Sequence, residues 1–156
     1  MEIVKKYGIK ILCAIALFAL FLPMATVTVG SDFYDSTTSL SGFTVAFQGY
    51  ICMLLIVGPI ALFAADYIPA VKRLKALVQA GVSVIGVILT FVGYLQASKI
   101  AAAGQAAGMG FVDCEASLGF GGILCIISYI GILAITLLFQ KDELAENIKA
   151  LKGASK

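Results

Sequence analysis

Long stretches without charge constrain this chain more than any other feature of its sequence. No charged residue occurs between Lys10 and Asp32, and three similar gaps follow along the chain. Each gap contains an apolar run close to the ~20 residues that cross the hydrocarbon core of a bilayer as a helix. Helices are expected because a lipid-exposed segment must satisfy its own backbone hydrogen bonds. The other gaps run from Asp35 to Asp66, from Lys75 to Lys99, and from Glu115 to Lys141.

The composition agrees with a membrane protein. Hydrophobic residues make up 61% of the chain and charged residues 13%, with a mean hydropathy of +1.04. A soluble domain has about 45–50% apolar and about 25% charged residues. The sequence therefore predicts an all-α membrane protein, a four-transmembrane-helix bundle in one domain over residues 1–156. The predicted spans are about 9–29, 45–65, 74–96 and 118–140.

The basic residues predict the orientation in the membrane. They precede the first span, separate the second from the third, and follow the fourth, whereas Lys99 alone lies in the other two loops. Because Lys and Arg accumulate on the cytoplasmic side, both termini, loop 66–73 and tail 141–156 are predicted to face the cytoplasm. Outer loops 30–44 and 97–117 then face outward from the cell membrane. The ten cytoplasmic bases are Lys5, Lys6, Lys10, Lys72, Arg73, Lys75, Lys141, Lys149, Lys152 and Lys156.

A cleaved signal peptide is the alternative interpretation of the first apolar stretch. Cleavage requires small residues ahead of the cut, and the tripeptide Pro23-Met24-Ala25 places a proline at the −3 position. The stretch is also longer than the apolar region of a usual signal peptide. Retention as a span is the favoured prediction.

The first outer loop has the pattern of a short β-hairpin. Thr26–Val29 and Thr37–Val45 alternate and are rich in β-branched residues, and they flank the turn-forming segment Gly30–Ser36. The exposed edge of such a hairpin is a place where a neighbouring molecule can pair its own strand. A solvated connector without such a role is the alternative.

Small residues recur along one face of the third span. Such a stripe lets another backbone approach closely, which is how helices pack in lipid. Two interpretations stay open, since the stripe can pack inside the chain's own bundle or join two subunits. The pattern continues beyond the span, so the helix is predicted to extend outward by two to three turns, to Gly108 and Gly110. The stripe contains Ser83, Gly86, Thr90, Gly93, Ala97 and Gly104.

Two prolines and the tail carry further predictions. Pro23 and Pro59 each remove a backbone donor and are predicted to kink the first and second helices. In the tail, Leu144, Ile148 and Leu151 share one helical face. This segment is predicted to continue the fourth helix, to lie on the cytoplasmic leaflet, or to dock on the cytoplasmic loop.

The sequence has few side chains of the kinds that catalysis, metal binding or ion transport require. The chain has no His, and none of its apolar runs contains the ionisable residue that ion-coupled transport uses. Ser and Cys have no neighbouring base that would make them nucleophiles. A net charge of +2 gives no support to a nucleic-acid partner. We therefore expect no enzymatic activity and no cofactor.

Two clusters are candidates for binding or cross-linking. Cys52 and Cys114 are placed so that a disulfide is geometrically allowed in an oxidising exterior, although free thiols acting as small hydrophobes are favoured. Four outer carboxylates supply oxygen ligands for a cation if the two outer segments fold together, although acidic residues at turns usually face water. These carboxylates are Asp32, Asp35, Asp113 and Glu115.

The layout resembles the claudin-like tetraspan plan, with short cytoplasmic ends, a strand-forming first outer loop and an outward-extended third helix. The Trp and the first-loop Cys pair of the claudin signature are absent, so the resemblance is one of layout alone. Phe21-Leu22-Pro23, Leu40-Ser41-Gly42 and Gly119-Phe120-Gly121-Gly122 are similar to segments of small uncharacterised bacterial four-span proteins, a likeness that implies no activity.

These features predict a non-enzymatic scaffold or interaction protein that self-assembles through its small-residue face and outer loops. Its expected partners are the lipid bilayer and either further copies of itself or another membrane protein. An oligomeric pore for ions or small solutes is the alternative, with Gly121, Cys125 and Ser128 along its path. An accessory subunit of a larger complex is a further alternative.

Overall fold

The computed structural model describes residues 7–31, 34–47, 52–65, 67–68, 74–107 and 112–154. The described chain is mostly helical and includes one small sheet. The helices are α1 (Ile9–Ala19), α2 (Gly42–Phe47), α3 (Leu54–Ala64), α4 (Lys75–Ala107), α5 (Phe120–Phe139) and α6 (Lys141–Ala154). The strands are β1 (Pro23–Ser31), β2 (Tyr34–Ser41) and β3 (Asp113–Leu118).

Within the described part of the chain, two helices, α4 and α5, are long and apolar enough to cross a membrane. The helices α1 and α3 are also apolar, but each has 11 residues in helical conformation. The first predicted span is therefore helical only to Ala19, and its outer part is the strand that begins at Pro23. All four residues of Thr26–Val29 are β-branched, which favours a strand over a helix.

The predicted kink at Pro23 is wrong, because α1 ends before it and Pro23 starts β1. The first residue of a strand tolerates proline, since it need not donate to the ladder. Pro59 does lie inside a helix, as the prediction requires. A proline at this position leaves the carbonyl of Leu55, four residues earlier, without its helical donor. The hydroxyl of Tyr129 donates to that carbonyl at 3.4 Å.

The predicted hairpin is present, and a third strand joins it. β1 lies in the middle of the sheet and pairs antiparallel with β2 on one side and with β3 on the other. Val27, for example, stands opposite Thr38 in β2 and Ala116 in β3. The two segments predicted as outer loops therefore form one sheet, whereas the second was predicted to be a helix followed by a loop.

The third helix continues past its predicted span, as the sequence predicts. α4 continues without a break to Ala107, about three turns beyond Gln96. Gly108 and Gly110, where the helix was predicted to end, lie outside the described residues. The extension packs on the sheet, where Ala97 and Ala101 join a hydrophobic cluster with Ala25 and Val27.

The C-terminal helix α6 is separate from α5, since the backbone of Gln140 leaves the helical conformation. It packs against α4 as well as α5. Leu144 and Asn147 are half-buried, whereas Ile148 remains exposed. The segment therefore packs on α4 and α5 rather than continuing α5, and most of the loop on which it was predicted to dock lies outside the described residues.

Candidate interaction surface on the outer sheet

The sheet has one apolar and one polar face, because side chains alternate along each strand. The apolar face lies under the extension of α4 and includes Val27, Val29, Leu40, Cys114 and Ala116. The polar face points away from the helix and carries hydroxyl and carboxylate groups. It consists of Thr26, Thr28, Asp35, Thr37, Ser39, Asp113, Glu115 and Ser117, with Gly30 among them.

Hydrogen bonding links strands across the polar face. Thr26 and Ser117 stand opposite each other on β1 and β3, and their hydroxyl oxygens share a hydrogen bond of 2.5 Å. The next polar row contains Thr28 between Thr37 and Glu115. The exposed face is thus an ordered array of polar groups on a three-stranded support.

The carboxylates of the predicted cation cluster lie on this polar face, as far as they are described. Gly30 stands opposite Asp35 on one side and Asp113 on the other, which places the two aspartates in one row. Glu115 follows in the neighbouring row, and Asp32 lies outside the described residues. Across a central strand the two aspartates are about 10 Å apart at their Cα atoms. No group of three acidic, histidine or cysteine side chains suited to a metal occurs among the described residues.

Each of the two edge strands of the sheet has one side that no other strand in the described part of the chain covers. β2 and β3 occupy the two ends of the strand order, so each pairs with β1 alone. Their outward N–H and C=O groups can accept a further strand. An edge of the hairpin was predicted to be available to a neighbouring molecule, and β2 has such an edge among the described strands.

The small-residue stripe is engaged inside the chain's own bundle. Ser83, Gly86, Thr90, Gly93 and Ala97 are all buried in the single chain. The hydroxyl of Ser83 donates to the carbonyl of Gln79 at 2.7 Å, and that of Thr90 to Gly86 at 2.8 Å. The hydroxyl groups of Ser83 and Thr90 are therefore satisfied within α4, and burial of these five residues favours the intramolecular interpretation.

Close neighbours on other elements define what the stripe contacts. A Cβ atom added at Gly86 would lie 2.5 Å from Cζ of Tyr129, and one at Gly93 would lie 2.9 Å from a methyl group of Val45. Farther out, a Cβ at Gly104 would lie 3.1 Å from Sγ of Cys114. The inner part of the stripe therefore packs on the bundle, and its outer part packs on the sheet.

The remaining candidate positions also lie within the bundle or the sheet. Gly121, Cys125 and Ser128, named for a pore path, are buried in the single chain. Cys52 belongs to the bundle cluster, whereas Cys114 belongs to the cluster under the sheet. Both are free thiols, as are Cys13 and Cys125.

A partly open cavity of about 200 Å³ lies between the apolar face of the sheet and the extension of α4. Among the described residues, apolar groups form almost all of its lining, and none of the lining side chains is charged. Thr38, Ile100 and Gly104 are its exposed members, so it opens between β2 and α4. The lining consists of Val27, Val29, Thr38, Leu40, Ile100, Gly104 and Cys114.

Sequence reasoning missed β3, and with it the cavity. The signal for the strand is present, since Asp113-Cys114-Glu115-Ala116-Ser117-Leu118 alternates polar and apolar residues without exception. Its partner β1 lies about 90 residues earlier in the chain, as the separation of 91 residues between Thr26 and Ser117 illustrates. Comparison of the chain with protein-family models, with curated proteins and with solved structures finds no match.

Proposed function

We propose that this chain is a non-enzymatic, four-span protein of the cell membrane that self-assembles through its outer sheet. The observation that carries the proposal is that β2 and β3 each have one side that no other described strand covers, on a sheet built from both segments predicted as outer loops. Edge strands of this kind recruit further strands through main-chain hydrogen bonds. Burial of the small-residue stripe within the chain favours the sheet, rather than the stripe, as the assembly surface.

The distribution of exposed apolar residues supports the membrane placement. Phe21, Phe47 and Phe120 are 70%, 66% and 63% exposed, and they belong to segments at the base of the sheet. Exposed side chains of α4 and α5, such as Ile88 and Ile127, cover the sides of the bundle. Large exposed apolar surfaces mark contact with lipid or protein. The sheet then lies above the outer leaflet, and both termini lie in the cytoplasm, as the basic residues predict.

Thiol labelling of single-cysteine variants tests this orientation in intact cells. Ser117 is exposed on the sheet and Ala145 is exposed on α6. Each is replaced by cysteine in a variant whose four native cysteines have been changed to alanine. A membrane-impermeant maleimide is expected to label Ser117→Cys directly and Ala145→Cys only after permeabilisation. Labelling of both positions, or of Ala145→Cys alone, in intact cells would contradict the proposed topology.

Disulfide trapping tests assembly through the open side of β2. In the same background, Thr37→Cys places a thiol on that outer strand, and Thr28→Cys places one in the same polar row on the central strand. Mild oxidation in membranes is expected to give dimers of Thr37→Cys, or of its neighbours Ser36→Cys and Ser39→Cys. Little dimer is expected for Thr28→Cys, because β1 is paired on both sides.

The mass of the wild-type protein in lipid nanodiscs decides among the alternatives. Several copies per disc, with β2 cross-links, support self-assembly. A 16.3 kDa monomer without cross-links contradicts it and favours an accessory subunit whose edge strand pairs with another protein. Ion conductance by purified assemblies would favour the pore, although Gly121, Cys125 and Ser128 are buried within a single chain.

A further inference from the structure

The hydrogen bonds of the sheet identify the residues of β2 that can pair with a further strand. The amide of Gly119 donates to the carbonyl of Met24 at 2.9 Å, which continues the ladder between β1 and β3. Because backbone groups alternate in direction along a strand, even-numbered residues of β1 bond to β3 and odd-numbered ones bond to β2. The odd-numbered residues of β1 stand opposite even-numbered residues of β2. The N–H and C=O groups of Asp35, Thr37 and Ser39 therefore point away from β1, along what we call the β2 edge.

The β2 edge carries few of the features that protect sheet edges from pairing. Strand β2 contains no proline and no lysine, and its single charged residue is Asp35. The side chains of Asp35, Thr37 and Ser39 are exposed and lie on the polar face of the sheet. Neighbouring residues of a ladder place their side chains on the same face. A strand that pairs here must therefore continue the polar face as well as the hydrogen bonds.

The strands of the sheet run nearly parallel to α4. A Cβ atom at Gly93 would lie 3.4 Å from Sδ of Met24, near the start of β1. A Cβ atom at Gly104 would lie 3.1 Å from Sγ of Cys114, which stands opposite Val29. The helix rises about 16.5 Å from Gly93 to Gly104, and β1 also rises about 16.5 Å from Met24 to Val29. If α4 crosses the membrane, β1 therefore runs outward and β2 runs back toward the membrane.

Two copies in one membrane cannot pair their β2 strands in register. Such copies differ by a rotation about the membrane normal, so their β2 strands run in the same direction and an antiparallel ladder cannot form. In a parallel ladder, a residue that directs its backbone groups toward the partner stands beside one that directs them away. Copies at equal depth instead place Thr37 of each beside Thr37 of the other. Self-pairing of β2 therefore requires copies that point in opposite directions.

Pairing of β2 with β3 of a neighbour in the same membrane meets a charge conflict. Asp35 and Asp113 both stand opposite Gly30, so they lie at one level of the sheet. A neighbour at equal depth therefore brings its Asp113 directly beside Asp35, and like charges at adjacent positions destabilise a ladder. A shift by two residues brings Glu115 to that position instead. The carboxylates therefore disfavour this arrangement.

Antiparallel pairing of two β2 strands about Thr37 avoids these conflicts. A two-fold axis through the sheet at Thr37 places Asp35 of each copy beside Ser39 of the other, where the hydroxyl can donate to the carboxylate. The three residues of the β2 edge then exchange six main-chain hydrogen bonds with their counterparts. The same axis continues the polar face across the junction and keeps both copies of α4 on the opposite face. The edge is thus complementary to itself.

We propose that β2 pairs antiparallel with β2 of a second copy in a facing membrane, so that one six-stranded sheet joins the two membranes. The inference rests on the proposed assembly through the outer sheet and adds the orientation of the partner. Ser41 lies at the base of the sheet, where α2 begins. With Thr37 at the centre, the two Ser41 residues are separated by about 27 Å along the ladder. This distance sets the spacing of the two membrane surfaces.

Nanodiscs that hold one copy each test this proposal, because cross-links can then form only between discs. In the variant without native cysteines, Thr37→Cys is expected to form disulfides between discs after mild oxidation, several-fold more than Ser39→Cys. A mixture of Asp35→Cys discs with Ser39→Cys discs is expected to cross-link several-fold more than either kind alone. Electron microscopy of wild-type discs is expected to show face-to-face pairs with a gap of about 27 Å.

Charge variants at position 39 test the register without cysteines. Ser39→Asp brings two carboxylates together at both ends of the junction and is expected to reduce disc pairing several-fold. Ser39→Lys faces Asp35 and is expected to increase it, and the double variant Asp35→Lys with Ser39→Asp is expected to restore it. Ser117→Asp and Ser117→Lys are the matched controls on β3, in the same row of the polar face, and are expected to leave disc pairing unchanged. Circular dichroism checks that each variant keeps its sheet.

The outcomes separate this inference from the proposed function. Thr37→Cys disulfides that form only between copies within one disc overturn the facing-membrane arrangement and leave self-assembly intact. A disulfide between Thr37→Cys and Glu115→Cys copies that share a disc overturns it as well, in favour of pairing between β2 and β3. Disc pairing that is the same for Ser39→Asp and Ser39→Lys overturns the register about Thr37. Absence of cross-links both within and between discs contradicts assembly through β2 itself.

Discussion

Replacing Gly86 with leucine is expected to destabilise the helical bundle by about 3 kcal/mol or more, the upper range for overpacking a core. Even a Cβ atom at this position would lie 2.5 Å from Cζ of Tyr129. The tyrosine ring has little freedom to move, because it is 1% exposed and its hydroxyl holds the carbonyl of Leu55. Pro59 supplies no donor to that carbonyl. A shift of the ring thus costs both packing and a hydrogen bond.

Gly81→Leu is the matched control for this prediction. Gly81 lies on the same helix, and a Cβ atom there would meet nothing within 4 Å. Removing a glycine from a helix interior gains up to about 1 kcal/mol of helix propensity. Thermal unfolding in detergent, followed by circular dichroism, is expected to show a large drop in Tm for Gly86→Leu and none for Gly81→Leu. An unchanged Tm together with a smaller particle mass would instead identify the stripe as a subunit interface.

Replacing Gly119 with alanine is expected to disrupt the junction between the sheet and α5, with a loss of about 3 kcal/mol or more. A Cβ atom there would lie 2.2 Å from the carbonyl oxygen of Pro23 and 2.8 Å from its carbonyl carbon. These are backbone atoms, which cannot turn aside as a flexible side chain does. The amide of Gly119 also donates to the carbonyl of Met24 at 2.9 Å, so separating the two segments breaks this bond.

Gly30→Ala provides the comparison within the same sheet. A Cβ atom at Gly30 would lie 3.4 Å from a carboxylate oxygen of Asp35, which is an ordinary contact. Limited proteolysis of the outer segments and Tm in detergent measure the two variants side by side. Faster cleavage and a lower Tm are expected for Gly119→Ala, with wild-type behaviour for Gly30→Ala. Equal sensitivity of the two variants would refute the close packing at Gly119.

Local features of the sequence were enough to predict several elements. The hairpin follows from segments that are rich in β-branched residues and alternate in polarity around a turn, and both strands lie within Pro23–Ser41. The extension of α4 follows from a period that continues past Leu95 to Ala107. In each case the residues that determine the structure are neighbours along the chain, so propensity and periodicity report them.

The first span shows where such reasoning fails. Apolar composition predicted a helix over 9–29, although the Thr26–Val29 segment had already been recognised as strand-like. The helix ends at Ala19, because pairing of β1 with both β2 and β3 satisfies the backbone of the outer part. High hydropathy indicates that a segment is buried or in contact with lipid. A strand packed under a helix is buried, so it can be as apolar as a transmembrane span.

By itself, the sequence determined the apolar helices, the hairpin and the small face of α4, since each depends on residues close together along the chain. Only the tertiary structure decided what those features contact. Gly86 packs against the ring of Tyr129, which lies on a helix that begins after β3. The hydroxyl of Thr26 shares a hydrogen bond with that of Ser117, which lies 91 residues later in the chain. A stripe of small residues specifies that something approaches closely, but the identity of the neighbour depends on the packing of every other element. The same packing leaves the cavity under β2, and it leaves the far edge of β2 without a partner among the described strands.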